Sequence, residues 1–437
     1  MDKTLGTIIS TVGAMLVTVT PAYALDARSA ALGGSAIANG AGVHGALENP
    51  STLMRQHRQN QSLHIHFGFS TDIQDNAGYA DNIEEEKDLP DDIETEIDQL
   101  TGRQLSCDIT SPPETICLED TARLAQLSST VLDILNRVDG KPVNATAAVD
   151  FGVGYTTWSV PIALHYRMSV TGAAQTDVAA EDIDYVSTFA TVLADDQLTA
   201  DELATSVPLS ISNDGQTLSV AQPEDVLQSD VRGSALVREQ MGLSMATTVN
   251  LGGFDVDLGL TPKFSELSAA SLQNKLNDRF DDSSDTFREQ WEDNENVGSS
   301  FTFDFGMTTT LDFAPIRVAA VARNVITEEI KTKEDFVFKT TPQLIVGGAY
   351  SLGAATFSAD LAVNKAKLDN LETQILAFGA ELKYPWVGLR AGLSHDIART
   401  DDATAISLGL SAGPIHIGGR LTDTQSAQGS VQLAFSF

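Results

Sequence analysis

Histidine, cysteine and serine side chains are the residues of this sequence whose types and spacing could do chemistry. His64 and His66 are spaced i, i+2, so on a strand they would share one face and could ligate a metal ion. The spacing supplies no third ligand, and packing of the two rings inside the protein is the favoured interpretation. Ser, His and Asp are all present, but no G-x-S-x-G, H-E-x-x-H or P-loop motif brings them together. The sequence therefore predicts no enzyme, no metal site and no cofactor.

The two cysteines, Cys107 and Cys117, flank Pro112 and Pro113, which bend the chain between them. The sequence has no C-x-x-C motif and no His near the pair. A disulfide in an oxidising compartment is therefore favoured over a redox or metal pair.

The first 24 residues have the pattern of a secretory signal peptide. Lys3 is followed by an apolar run and by the small-residue ending Ala22-Tyr23-Ala24, which predicts cleavage before Leu25. Beyond this segment no stretch approaches the roughly 18 apolar residues of a spanning helix. We expect an exported chain of this kind to be periplasmic, secreted or an outer-membrane barrel.

The chain is strongly acidic, with 60 Asp and Glu against 27 Lys and Arg and a formal charge of −33. Direct nucleic-acid binding is not expected, because it needs clustered Lys and Arg. The acidic and basic residues number 18 and 5 in residues 71–144, 12 and none in 173–230, and 8 and 3 in 267–297. A solvated surface is the favoured interpretation of these segments. Bridging of divalent cations by residues such as Asp281 and Asp282 is the alternative, although no EF-hand spacing occurs.

Alternation of apolar and polar residues is the main structural signal. In residues 63–69 every second residue is apolar, and His64 and His66 lie between them, which is the period of a strand with one apolar face. Similar segments recur along the chain. The predicted strands are 61–70, 145–157, 158–172, 231–250, 252–266, 298–312, 314–327, 341–351, 353–364, 373–384, 386–397, 402–412, 413–422 and 427–437.

Long and short connections alternate between these strands, as in a bacterial outer-membrane barrel with short periplasmic turns and long outer loops. The last strand ends on Phe437, and aromatic residues collect near the short turns, as a membrane-interface girdle requires. A periplasmic β-sandwich or propeller would share the alternation of apolar and polar residues, but not the alternation of long and short loops or the terminal Phe437. Apolar residues at helical spacing in 124–138 also predict a helix on the barrel mouth. We predict an all-β fold, an antiparallel transmembrane β-barrel of about 14 strands with long, partly helical extracellular loops.

If the apolar side chains face lipid, the polar residues of the other parity face the lumen. Pairing of their charges with one another is the default expectation. The alternative is that the basic residues guide an amphipathic acid along the wall, with an Arg binding its carboxylate. The candidate ligand or lumen residues are His64, His66, His165, Arg167, Arg317, Arg323, Arg390, His416 and Arg420.

The segment before the first strand resembles the amino-terminal hatch of the long-chain fatty-acid transporter (FadL) superfamily. It contains the run Leu32-Gly33-Gly34-Ser35 and the sequence Glu48-Asn49-Pro50-Ser51, in which Ser51 replaces the usual Ala of an Asn-Pro-Ala motif. The resemblance implies that residues 25–60 form a hatch ahead of a barrel built from residues 61–437. The hatch positions that it singles out are Gly33, Gly34, Asn49 and Pro50.

Later segments resemble the TraF-type conjugal transfer barrel family. They are DGKPVN at 139–144, GLTPK at 259–263, VARNVI at 321–326 and LRAGLSHD at 389–396. The resemblance implies a non-enzymatic protein of a Gram-negative outer membrane that passes or binds a small hydrophobic or amphipathic molecule. The alternative is a surface component of mating-pair contact or envelope assembly. The expected partners are outer-membrane lipid, a small apolar ligand, and envelope or conjugation proteins that contact the acidic loops.

Overall fold

The computed structural model describes the chain in fifteen segments. They are residues 26–40, 42–59, 62–75, 115–117, 122–156, 159–194, 197–199, 209–211, 218–220, 228–275, 293–311, 313–368, 371–398, 404–422 and 426–437. The predicted signal peptide, Cys107 and the acidic residues Asp281 and Asp282 lie outside the described residues. The signal peptide and the disulfide of Cys107 with Cys117 therefore stay predictions.

Antiparallel strands close into one barrel of fourteen, as predicted. The first barrel strand pairs with the last, with His64 opposite Ser436, so closure leaves no unpaired edge. The barrel strands are β1 (Leu63–Asp75), β3 (Pro142–Tyr155), β4 (Ile162–Asp177), β8 (Asp230–Leu251), β9 (Phe254–Lys275), β10 (Asn296–Thr310), β11 (Ile316–Arg323), β14 (Gln343–Leu352), β15 (Ala355–Ala362), β18 (Ile375–Lys383), β19 (Val387–Asp396), β20 (Thr404–Ala412), β21 (Ile415–Thr422) and β22 (Ser426–Ser436). The short strands outside the barrel are β2 (Thr115–Cys117), β5 (Gln197–Thr199), β6 (Leu209–Ile211), β7 (Leu218–Val220), β12 (Glu328–Lys331), β13 (Val337–Thr340), β16 (Ala366–Leu368) and β17 (Leu371–Thr373).

Large apolar side chains form a band around the outside of the barrel. Phe67 on β1 is 48% exposed, whereas its neighbour His66 is 1% exposed, so the two faces of the strand differ in burial as the alternation predicts. Such exposure of apolar residues on one parity is what a membrane-spanning barrel presents to lipid. At about 3.3 Å per residue and a tilt of about 40°, the stretch from Phe254 to Phe264 spans about 25 Å, the height of such a band. Trp386, at a short turn, is 80% exposed, in keeping with an interfacial girdle.

Several strands continue further than the sequence pattern predicts. β1 runs to Asp75, β4 to Asp177 and β9 to Lys275, so the outer loops begin later than the predicted positions 71, 173 and 267. Beyond the apolar band the strict alternation of apolar and polar residues disappears while backbone pairing continues. An example is the outward-facing Glu239, which lies opposite Glu266.

The outer loops carry two helices that pack on each other, α4 (Ala122–Val138) and α5 (Ala180–Ala194), numbered after the three hatch helices below. Val138 is buried with Val178 and Ile183 at their contact. The predicted helix over 124–138 is present, but the partner against which it packs is this second helix. Within the described residues, no helix is long and apolar enough to cross a membrane.

A four-stranded sheet of β12, β13, β16 and β17 lies at the loop end of the barrel. Its Ile330 and Phe338 form a buried cluster with Leu236 of β8 and Leu267 of β9, which stand on the inward-facing parity of those strands. The connection predicted at 328–340 is therefore a structured hairpin that packs against the inner wall.

The described residues before β1, 26–40 and 42–59, fold inside the barrel and are called the hatch. They form α1 (Ala27–Ala31), α2 (Gly42–Glu48), a 3₁₀ helix (Pro50–Thr52) and α3 (Leu53–Arg58). Val43 and Leu53 pack against Ala163 and Ala246 of the wall. These helices are shorter than the roughly 12 residues that an isolated helix needs in water, so their stability has to come from contacts with the wall.

Candidate functional site: the hatch and the inner wall

Helix α1 and the turn that follows it, residues 32–35, rest on inward-facing glycines of four neighbouring strands, which we call the glycine seat. They are Gly379 of β18, Gly392 of β19, Gly409 of β20 and Gly418 of β21. A Cβ added at Gly392 would overlap the backbone of Leu32, and one added at Gly418 would overlap the carbonyl oxygen of Ala27. The absence of side chains at these positions is therefore what lets the hatch backbone touch the wall.

A buried ion-pair triad fastens the same helix. Arg28 donates from Nε to Oε1 of Glu381 (3.2 Å) and from Nη2 to Oε2 (2.6 Å). Arg390 donates from Nε to the same Oε1 (2.8 Å), and all three residues are buried. Burial opposes the charge of Arg28, but the Glu381 carboxylate outweighs it, so the pKa of Arg28 is raised. Arg28 also donates from Nη1 to the backbone carbonyl of Asn39 in the hatch (2.6 Å). Its guanidinium therefore links the Glu381 carboxylate of the wall to the backbone of the hatch.

Two further ion pairs join the hatch to other parts of the wall. Glu48 is paired with Arg323 of β11, which also donates from Nη2 to the Glu48 carbonyl (2.9 Å). Arg58 makes a two-point pair with Asp257 of β9, with distances of 2.8 and 2.5 Å between nitrogen and oxygen. Together with Arg28 and Glu381, these pairs tie both ends and the middle of the hatch to separate strands.

Asn49 and Pro50 lie at the junction of the hatch with β10. The Asn49 Nδ2 donates to the carbonyl of Ile37 (3.0 Å) and to Oγ1 of Thr308 (3.2 Å), while its Oδ1 accepts from the backbone N–H of Ser51 (3.1 Å). Pro50 is the first residue of the 3₁₀ helix. A backbone N–H at this position would have no partner within the helix, so proline loses no hydrogen bond there. One side chain thereby connects the two halves of the hatch and the wall.

His44 of α2 is buried at the contact between hatch and wall. Its ring centroid lies 5.7 Å from that of His66 and 6.4 Å from that of His416. Within the described residues, neither of its ring nitrogens has a hydrogen-bond partner. Burial, and then the neighbouring His66, His416, Arg28 and Arg390, hold the pKa of His44 well below its usual value, so the ring is neutral.

The predicted residues on β1 and β4 are engaged with other wall residues. His66 is hydrogen-bonded to Asp150, and Nη2 of Arg167 lies 3.7 Å from the same carboxyl group. Nε2 of His165 is 2.8 Å from Oγ of Ser244. These three side chains are therefore in contact with other polar groups of the wall.

The remaining predicted residues are separated along the wall. Nδ1 of His64 is 2.9 Å from Oγ of Ser436, and Nη2 of Arg317 donates to Oδ1 of Asn39 in the hatch (2.9 Å). Nδ1 of His416 lies 3.4 Å from Nη2 of Arg390. In the part of the chain that the structure describes, no group of three or more His, Cys, Asp or Glu side chains is arranged to hold a metal ion.

Several contact residues were not singled out as sites by the sequence analysis, namely His44, Glu381 as the anchor of Arg28, and the glycine seat. A signal for the seat is present in the sequence, since four consecutive strands each carry a glycine at an inward position. No comparable signal marks Glu381, because the partner Arg28 is 353 residues away.

The chain is similar to one protein family and to several solved structures. A family model described as "F plasmid transfer operon, TraF, protein" matches residues 46–362. A solved structure titled "TodX deltaS2S3 mutant monoaromatic hydrocarbon channel" is 11% identical, with a TM-score of 0.46, over 94% of this chain and 98% of that chain. The toluene transporter TbuX of Ralstonia pickettii is 13% identical, with a TM-score of 0.45, over 95% of this chain and 98% of that chain. No curated protein matches the sequence.

Proposed function

The chain belongs to the family of the F plasmid transfer operon protein TraF, and we propose that it is an outer-membrane barrel whose hatch controls the passage of a small hydrophobic or amphipathic molecule. One observation carries this proposal: a segment of short helices sits inside a closed barrel and is held by ion pairs and close packing. Contacts of this kind can form and break without any covalent change.

The apolar band supports placement in a membrane, and the predicted signal peptide supports export to the outer membrane of a Gram-negative bacterium. The inner wall supplies polar groups that can bind the polar head of an amphipathic molecule. The hatch obstructs the lumen and can move, because only noncovalent contacts hold it. A molecule on this path would have to displace hatch contacts such as that between Arg28 and Glu381.

The test is uptake of a labelled long-chain fatty acid or of toluene by a deletion strain and by strains complemented with the wild-type gene or with a gene lacking residues 26–58. We expect the wild-type gene to restore uptake and the shortened gene to change it, with barrel assembly verified by heat-modifiable gel mobility. Equal uptake by the deletion strain and the wild-type-complemented strain, for both compounds, would refute the proposal.

The second candidate is a surface component of conjugation or envelope assembly. The family match and the acidic segments at 71–144, 173–230 and 267–297 favour it. Removal of residues 76–114 should then abolish mating-pair contact and leave uptake unchanged. The two functions therefore predict opposite effects of shortening the loop and removing the hatch.

A further inference from the structure

A row of polar side chains crosses the inner wall beside the hatch, and we call it the polar row. Each residue is the register partner of the next on five adjacent strands, and all stand on the inward parity. The polar row consists of Thr146 on β3, Asp72 on β1, Gln428 on β22, Arg420 on β21 and Ser407 on β20.

The row ends at the hatch. Ser407 is the register partner of Gly392, the glycine that lies under Leu32. The next turn of the hatch contains Gly34, where an added Cβ would meet no atom within 4 Å. The hatch therefore leaves open space on the side of Gly34 where a Cβ would lie.

Hydroxyl and amide groups around the row are buried without partners. Thr146 and Ser407 are each 1% exposed, and within the described residues neither hydroxyl has a hydrogen-bond partner. Ser70, Ser394 and Asn144, which flank the row on β1, β19 and β3, are also buried, and within the described residues Oγ of both serines and Nδ2 of Asn144 have no hydrogen-bond partner. A buried polar group left without a partner destabilises the fold, so a concentration of such groups on one wall calls for something that binds there.

On the opposite part of the wall, buried polar side chains are paired with one another. Oγ of Ser244 is 2.7 Å from Oγ1 of Thr261, and Nζ of Lys263 is 2.8 Å from Oδ1 of Asp304. These pairs lie on β8, β9 and β10. Among the wall residues that the structure describes, the buried hydroxyls without partners therefore lie on the row's side of the lumen.

We propose that the polar row binds the uncharged, hydroxyl-rich head of an amphipathic molecule, which makes a monoacylglycerol-like compound a better substrate than a fatty acid or a hydrocarbon. Arg420 and Asp72 lie two strands apart on the row and offset each other's charge, so the row carries no net charge with which to select a carboxylate. A hydrocarbon would leave the hydroxyls unpaired, whereas a glycerol head supplies donors and acceptors to them. This inference rests on the proposed function, since it names the substrate class of the same lumen.

The test compares uptake of labelled 1-lauroylglycerol, laurate and dodecane by the deletion strain complemented with the wild-type gene, Ser407→Ala or Thr146→Val. We expect 1-lauroylglycerol to enter fastest, and each variant to reduce its uptake several-fold while leaving dodecane unaffected. The matched controls are Thr404→Val and Thr71→Val, which remove outward-facing hydroxyls from the same sheet and should change neither. Because the two lumen variants remove unpaired groups, their thermal stability should be equal to or higher than that of the wild type.

Wild-type uptake of 1-lauroylglycerol by both lumen variants would mean that the row binds water only and would overturn the inference while leaving the proposed function intact. Equal uptake of all three compounds by the wild type would also overturn it. Failure of the wild-type gene to raise uptake of any compound above that of the deletion strain would instead defeat the proposed function.

Discussion

Arg28 in the hatch and Glu381 on β18 form a buried two-point ion pair although they are 353 residues apart in the sequence. The carboxylate that receives Arg28 also receives Arg390, so a single wall residue compensates two guanidinium groups. Removal of one partner from a buried pair leaves an uncompensated charge, which is commonly more harmful than the absence of the whole pair.

The substitution Glu381→Gln should release the hatch. It keeps the shape of the side chain but leaves Arg28 and Arg390 without a counter-charge, and we expect a loss of about 3–5 kcal/mol in hatch docking. Trypsin cleavage within residues 26–58 of the purified barrel measures this release. The matched control is Glu329→Gln, which breaks an exposed pair with Lys339 and should have little effect. Equal protection of the wild type and Glu381→Gln would show that the pair does not hold the hatch.

The substitution Gly418→Ala should displace α1, because the new methyl group would occupy the position of the Ala27 carbonyl oxygen. Its neighbour Gly419 faces outward, with the nearest atom 3.5 Å from an added Cβ, so Gly419→Ala should be tolerated. Hydrogen exchange of α1 amides distinguishes the two variants. Unchanged exchange in Gly418→Ala would contradict the description of the seat.

Hatch docking should weaken as the pH falls below about 6.5. His44 is neutral when docked, because its pKa is lowered, and it binds a proton when the hatch is released, so low pH favours release by up to about tenfold per pH unit. Asp26 acts in the opposite direction at lower pH, because burial and then Glu48 raise its pKa to about 6, and docking gains from its protonation as the pH falls from about 6 towards 3.8.

The interval from pH 7 down to pH 6 lies above the range in which protonation of Asp26 acts. The measurement is trypsin cleavage of the hatch at several pH values within it, with rates corrected for the activity of trypsin on an unfolded peptide. His44→Gln should remove the pH dependence. A variant that keeps the wild-type dependence would assign it to another group.

The substitution Leu408→Arg should prevent or weaken membrane insertion. Leu408 lies midway along β20, faces outward and is 66% exposed within the apolar band, where an arginine costs about 2–4 kcal/mol. Thr404→Arg, at the loop end of the same strand, should cost about 0–1 kcal/mol. Folding yield into lipid vesicles as a function of urea gives both values, and similar losses for the two variants would place the band elsewhere.

The strand pattern was predictable because lipid imposes one side-chain parity over each crossing, and Phe67 and His66 illustrate the two faces. The ends of β4 and β9 were not predictable in this way, because apolar and polar residues no longer alternate strictly in the last part of either strand. The hatch was recognised from Asn49 and Pro50 by resemblance rather than by physical pattern.

The contacts of the site lay beyond sequence reasoning for a related reason. The parity of a residue along its strand tells whether its side chain faces the lumen. It does not tell which lumen-facing residues of different strands lie at the same height in the closed barrel. Arg390 was expected to face the lumen. That it shares the Glu381 carboxylate with Arg28 depends on the position of α1, which the sequence pattern does not give. His44 carried no periodic signal because the hatch helices are too short to show one.

The position of the glycine seat also has a consequence for the order of folding. Residues 27–31 are among the first of the described chain to be synthesised, whereas the seat is complete only when β18 to β21 have paired, the last of them carrying Gly418. Residues 27–31 therefore remain without their final contacts until almost the whole barrel wall has formed. Completion of the wall and insertion of the hatch should accordingly appear as separate kinetic phases during assembly, with the hatch acquiring protection last.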